Sequence, residues 1–245
     1  MRLLHLSDTH LTRALGPNRD GVDTRDSLRR IPAIFTTGNH DDRPAFAAEL
    51  GSGHLGTEPV VQLETAERAA ASTVAGYRVI TLDSLVPGKG YGRISATQLT
   101  WLRSVLAQPA PNGSIVAFHH PPVAVPGVAV QSAVGLHNGP ELAAAIGGSD
   151  VRLILCGHFH LQLFGLLTGI PVWVTPGVVT RIDLTATPGT ERAVRGASAS
   201  VIDLGGPHSP VFHTLHARDP HTGRTAYELD ASELTTIIAK LGPAA

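Results

Sequence analysis

The 245-residue chain has a single cysteine, Cys156, so it can build neither an internal disulfide framework nor a multi-cysteine zinc site. It has no excess charge of either sign: 19 Lys and Arg stand against 20 Asp and Glu, a formal net charge of −1. Such a chain carries no overall basic footprint for a nucleic acid polymer and no polybasic membrane signal. Charged residues are only 16% while hydrophobic residues are 42%, which excludes wholesale disorder. The N-terminus has no long apolar run of the secretory kind, because His5 and Asp8 interrupt it. Residues 104–140 and 153–180 contain no Asp, Glu, Lys or Arg. Their histidines and prolines (His119-His120-Pro121-Pro122 in the first; His158, His160 and Pro171 in the second) would be costly in lipid, so both read as buried strands and their loops. The chain reads as soluble and cytoplasmic, with no membrane partner.

Histidine is plentiful: 13 residues, more than half the acidic total. With so little sulfur, a transition metal would be held by nitrogen and oxygen ligands. Short β-branched runs recur, at residues 2–7, 31–37, 77–84, 114–118, 151–156, 171–175, 199–204 and 211–215. Helical patterns cover 23–30, 43–50, 95–108, 140–146 and 231–241. The clearest is 95–108, where Ser95 and Gln98 form a capping-box pattern ahead of an apolar stripe. Alternating strands and helices followed by further strands indicate an α/β fold with a mixed sheet. There is no internal repeat, and no composition break divides the chain, so residues 1–245 read as one domain, with 205–245 a candidate C-terminal extension.

Four polar clusters each follow an apolar strand pattern: Asp8-Thr9-His10, Gly38-Asn39-His40-Asp41, His119-His120 and Gly157-His158-Phe159-His160. Ligand sites in open α/β sheets lie beyond the carboxyl ends of the strands, so all four can meet at one edge. In Asp8-x-His10 and His158-x-His160 an extended chain would aim positions i and i+2 at one pocket. Histidine, carboxylate and amide oxygen together suit Mn, Fe or Zn. Singly, each cluster has a plainer reading as a turn or a hydrogen-bonded histidine; all four at strand ends point to metal.

The blocks HLSDTHL, TTGNHDDR, FHHPP and CGHFH resemble the signature blocks of the calcineurin-like metallophosphoesterases. The stretches ITLDSLVPGKGYGRISATQLTWL and LILCGHFHLQL look most like the bacterial cyclic-nucleotide (3′,5′-cAMP) phosphodiesterase branch. The resemblance runs from Met1 to about Leu204. It implies a β-sandwich core flanked by helices, and two divalent or transition metal ions (Mn, Fe or Zn). Asp8, His10 and His160 match the ligands of one metal; Asn39, His119 and His158 match those of the other. His40 matches the histidine that touches the scissile phosphate beside Asn39, and Asp41 would orient it. His120 matches no ligand and reads as a supporting residue. The implied activity is hydrolysis of a small phosphodiester such as cAMP by metal-activated hydroxide. A homodimer stays open.

The chain departs from the family at one block. A Gly-Asp between D-x-H and GNH, whose carboxylate bridges both metals, has no counterpart, and one strand–helix unit is missing between residues 30 and 31. Asp20, Asp23 and Asp26 lie in the interval without the expected pattern. This motivates an alternative: a degenerate member that binds metal weakly and turns over little or nothing. Among the lesser features, Cys156, Trp101 and Trp173 read as packing. His208, His213, His216 and His221 read as surface residues, His137-Asn138 as exposed loop, and Arg192 and Arg195 as loop charges.

Overall fold

A computed structural model describes residues 1–8, 33–56, 59–63 and 65–243 of the chain. In chain order these form β1 (Arg2–His5), β2 (Ala33–Ile34), α1 (Arg43–Leu50), β3 (His54–Leu55), β4 (Pro59–Gln62), β5 (Ala70–Val74), β6 (Tyr77–Thr81) and α2 (Ala96–Leu106). There follow β7 (Ser114–Ala117), α3 (Ala129–Val134), α4 (Gly139–Ile146), β8 (Val151–Cys156), β9 (Leu163–Leu167), β10 (Ile170–Val174) and β11 (Thr180–Ile182). The last elements are β12 (Glu191–Arg195), β13 (Ser198–Asp203), β14 (Val211–His216), β15 (Thr225–Leu229) and α5 (Ala231–Leu241). The helix expected at 23–30, His10, and the position of the missing strand–helix unit lie outside the described residues.

The main sheet has the order β4-β5-β6-β7-β8-β10-β9. Its centre, β6-β7-β8-β10, is parallel, and antiparallel strands close both sides. The parallel strands are apolar on both faces because both faces are covered. Ile80, Val116, Ile154, Cys156, Val172 and Val174 turn to one side, against Leu99, Leu102 and Leu106 of α2 and Leu142 and Ile146 of α4. Tyr77, Val79, Ile115, Leu153, Leu155 and Trp173 turn to the other. There they meet Leu3, Ile202 and Phe212 of a second sheet, β1-β13-β14, and Leu204 just past the end of β13. Trp173 stacks on Phe212 at a centroid distance of 4.5 Å. The result is a sandwich of two sheets with helices on the outer face of the larger one. Trp173 and Cys156 are core residues, and Trp101 packs against the core edge.

Among the described residues β1 pairs only with β13 and β2 only with β3, so each has one strand neighbour. The segment after residue 204 is woven into the body. β14 borders β13, β15 borders β12 in a third sheet, β11-β12-β15, and α5 carries a complete capping box from Asp230 and Glu233. Among the described residues no helix is long and apolar enough to cross a membrane.

Three local expectations need correction. Ser95 caps α2 by accepting from the Gln98 N–H at 3.2 Å, but the Gln98 side chain does not complete a capping box. It is buried and spans the backbone N–H and C=O of Asp83, at 2.8 Å each. Asn138 is buried rather than exposed, because its amide clasps the backbone of Ile94 at 3.0 and 2.8 Å. Arg192 and Arg195 lie in β12 rather than a loop, and Arg192 is ion-paired to Asp183 at 2.8 Å.

Candidate metal centre

The parallel register of β7 and β8 sets Ala117 beside Leu155, so the chain leaves both strands side by side. The Gly157 N–H donates to the His119 carbonyl at 3.0 Å and continues the pairing past the strand ends. His119 and His158 therefore meet, with His119 Nε2 and His158 Nδ1 3.2 Å apart. Asn39 arrives on the loop after β2, its Oδ1 2.9 Å from His119 Nε2.

That loop is pinned at several points. Thr36 Oγ1 donates to the Leu82 carbonyl at 2.7 Å, and Asp41 Oδ2 accepts from the Gly38 N–H at 2.7 Å. A Cβ on Gly38 would sit 3.0 Å from the His119 ring, so glycine is what lets the loop approach. Asp42 caps α1, and Arg43 in its first turn forms a two-pronged ion pair with fully buried Asp83 at 2.7 and 3.1 Å. The Asp41 carboxylate thus serves the turn that carries both Asn39 and exposed His40.

Asp8 comes from the second sheet. A seam joins the sheets there: Ser7 bridges Gly177 in parallel, and the Val178 N–H donates to the Ser7 carbonyl at 3.1 Å. A Cβ on Gly157 would overlap Ser7 Oγ, so the seam needs glycine as well. Asp8 Oδ1 then lies 3.8 Å from His119 Nε2 and 3.4 Å from His160 Nε2. His160 Nδ1 is held by Thr180 Oγ1 at 2.8 Å, which turns its Nε2 toward Asp8.

His158 and His160 do not share a pocket by extension, as their spacing had indicated. Both are left-handed, at φ 69° and 50°, and so is Asp8 at φ 57°. Such conformations cost about 1–3 kcal/mol each for non-glycine residues and persist where the surroundings enforce them. The turn separates the two imidazoles: His158 joins His119 and Asn39, and His160 joins Asp8. His120, beside them, is fully buried, with its ring centroid 4.5 Å from that of His158 and its Nδ1 2.8 Å from Ser84 Oγ. Ligand-capable atoms of His119, His120 and His158 all lie within 4.8 Å of one another.

Burial dominates the electrostatics of the imidazoles. It pushes His158 down to about 3, helped by neighbouring His119, and holds His119 and His120 below the ordinary range. These rings are neutral at neutral pH, with lone pairs not competed for by protons. Burial alone would raise the Asp8 carboxyl. The hydrogen bonds from His160 and Ser7 and the coulombic influence of the neighbouring His119 and His160 rings outweigh it, so Asp8 stays well below the usual carboxylate range. Asp8 Oδ2 is buried with no hydrogen-bond partner among the described residues, whereas the His158 ring, whose Nδ1 faces His119, is also tied to the Val134 backbone. Leaving an atom such as Asp8 Oδ2 unpaired is costly unless a further group completes it.

These donors fit a divalent ion. Ligands about 2.1 Å from a metal and at right angles to each other are about 3.0 Å apart. The Asn39–His119 and His119–His158 separations of 2.9 and 3.2 Å match that spacing. Thr180 and Ser84, which set the rings of His160 and His120, carry no sequence signal that would have marked them. They lie 20 and 36 residues from their partners.

The family model for calcineurin-like phosphoesterases matches residues 20–162. A probable cyclic nucleotide phosphodiesterase of Rhodococcus erythropolis is 36% identical over 241 residues, covering 80% of this chain and 76% of that protein. A cAMP/cGMP dual specificity phosphodiesterase of Mycobacterium tuberculosis is 38% identical over 187 residues, covering 71% of this chain and 56% of that one. The 3′,5′-cyclic adenosine monophosphate phosphodiesterase of Escherichia coli is 30% identical over 135 residues, covering 55% and 45%. The chain thus spans about half the length of the last two. It belongs to the calcineurin-like phosphoesterase family, whose enzymes work with a divalent metal centre.

Proposed function

We propose that this chain hydrolyses small phosphodiesters, cyclic nucleotides among them, at a centre of two divalent ions drawn from Mn, Fe or Zn. The observation that carries the reading is the convergence of Asn39 Oδ1, His119 Nε2 and His158 Nδ1, with Asp8 Oδ1 between that set and His160. Relatives named as cyclic nucleotide phosphodiesterases support the substrate class. In this reading Asn39, His119 and His158 hold one ion, and Asp8 and His160, with His10, hold the other.

Divalent ions held there supply positive charge to the phosphoryl oxygens and lower the pKa of water. The remaining work falls to the protein. Neutral imidazoles bind without first losing protons. Thr180 fixes the His160 ring, and Asp41 fixes the turn that presents the Asn39 amide and the His40 imidazole to one phosphate. Exposed His40 holds the proton that passes to the leaving oxygen as the old P–O bond breaks and the oxygen of water forms the new one.

A second reading, a metal-binding member with little turnover, is favoured by one feature: the sequence has no Gly-Asp block to bridge the ions. Two close cations without a shared carboxylate repel each other. One assay separates the two readings: the full chain with excess Mn²⁺ and bis(p-nitrophenyl) phosphate, beside Asn39→Ala. The hydrolytic reading expects turnover that falls at least a hundredfold in the variant. No turnover from folded, metal-loaded wild type would leave the degenerate reading standing.

A further inference from the structure

A cavity of about 440 Å³, of a size for a small organic ligand, is lined in part by His160 and does not include Asp8 in its lining. His160, Gln162, Arg181, Asp183 and His216 are its polar lining. Most of these are already engaged. The Asp183 carboxylate is taken by Arg192, at 2.8 and 3.1 Å, and by Thr185. Gln162 Oε1 accepts from Thr214 at 2.7 Å, and His216 Nδ1 lies 2.9 Å from Ser198 Oγ. Glu191, which acts electrostatically on His160, accepts from the Tyr227 hydroxyl at 3.2 Å.

Arg181 differs from the rest of the lining. It is half-buried, and among the described residues its Nε, buried, has no hydrogen-bond partner. Its guanidinium lies against the backbone of Gly196, where a Cβ would come within 2.8 Å of Nε, and Gly196 has φ +150°. The missing side chain at 196 makes the slot that holds the arginine. The buried Nε without an acceptor is unfavourable, and the rest of this half-exposed guanidinium, which has no carboxylate partner among the described residues, stays available to an anion in the cavity. Its planar donors match phosphate oxygens two at a time.

We propose that this cavity is an anion subsite in which Arg181 binds the phosphate group of a small molecule, either inorganic phosphate or a nucleoside monophosphate. The proposal goes beyond the hydrolytic reading and does not depend on it, because Arg181 is charged whether or not metal is bound. Calorimetric titration of the full chain, as purified and again with EDTA, with inorganic phosphate and with AMP, tests it beside Arg181→Met and Arg181→Lys. Circular dichroism checks that each variant is folded.

Saturable phosphate binding in wild type is expected in both metal states, weakened at least about tenfold by Arg181→Met and less by Arg181→Lys. AMP tighter than phosphate would assign the rest of the cavity to the nucleoside, and equal affinities would assign it to the phosphate group alone. Both keep the anion subsite. If Arg181→Met does not fold, Arg181→Lys decides, with a severalfold loss expected from its single-point charge. Absence of saturable phosphate binding in EDTA, or unchanged affinity in the folded variants, would overturn the proposal, and neither result bears on diester hydrolysis.

Discussion

On one side of the centre, Asn39, His119 and His158 touch at 2.9 and 3.2 Å; on the other, Asp8 and His160 stand 3.4 Å apart. The first set inherits its spacing from the main sheet. Neighbouring parallel strands deliver two imidazoles, and a loop tied to the end of β6 delivers the amide. The second set spans two sheets, and its geometry depends on the seam at Ser7 and Gly177 and on the hydroxyl of Thr180. Adjacent strands position ligands through backbone register, whereas ligands gathered across a seam need side chains to finish the job.

The most severe way to break the first set is at its anchor. Arg43→Met strands the fully buried Asp83 carboxylate and also removes the bond from Arg43 Nη2 to the Leu85 carbonyl at 2.6 Å. Urea denaturation is expected to show a loss of about 3–5 kcal/mol. A change under about 1 kcal/mol would mean the pair does not anchor the Asn39 loop. The smaller effect belongs to the second set. Thr180→Val removes the hydrogen bond to His160 Nδ1 and leaves the Nε2 donor itself intact, and Mn²⁺ titration should show affinity at that set falling about tenfold, with stability little changed. Equal weakening of both sets would erase the distinction between them.

Much of this arrangement was legible in the sequence, because the clusters sit where apolar runs end. The β7 and β8 patterns placed His119 and His158 correctly at strand ends, and the pattern at 231–241 matches α5 residue for residue. Other elements hide for physical reasons. In β9, Phe164 and Leu166 are apolar yet 54% and 57% exposed, so the strand shows no apolar–polar alternation. In β5, the run Ala70-Ala71-Ser72 resembles helix more than strand, and pairing with β6 decides it. The left-handed backbone at His158 and His160 has no local signature, since neither is glycine. Arg181 shows nothing in sequence either, because its significance lies in the empty space that Gly196, fifteen positions on, leaves beside it.

The central claim is that these two donor sets hold metal. It is tested most directly by counting Mn per chain after loading and removal of excess, in wild type and in His158→Ala. The account predicts two ions per wild-type chain and loss of at least one in the variant, because His158 belongs to one set alone. No retained metal in folded wild type, or an identical count in both proteins, would contradict it.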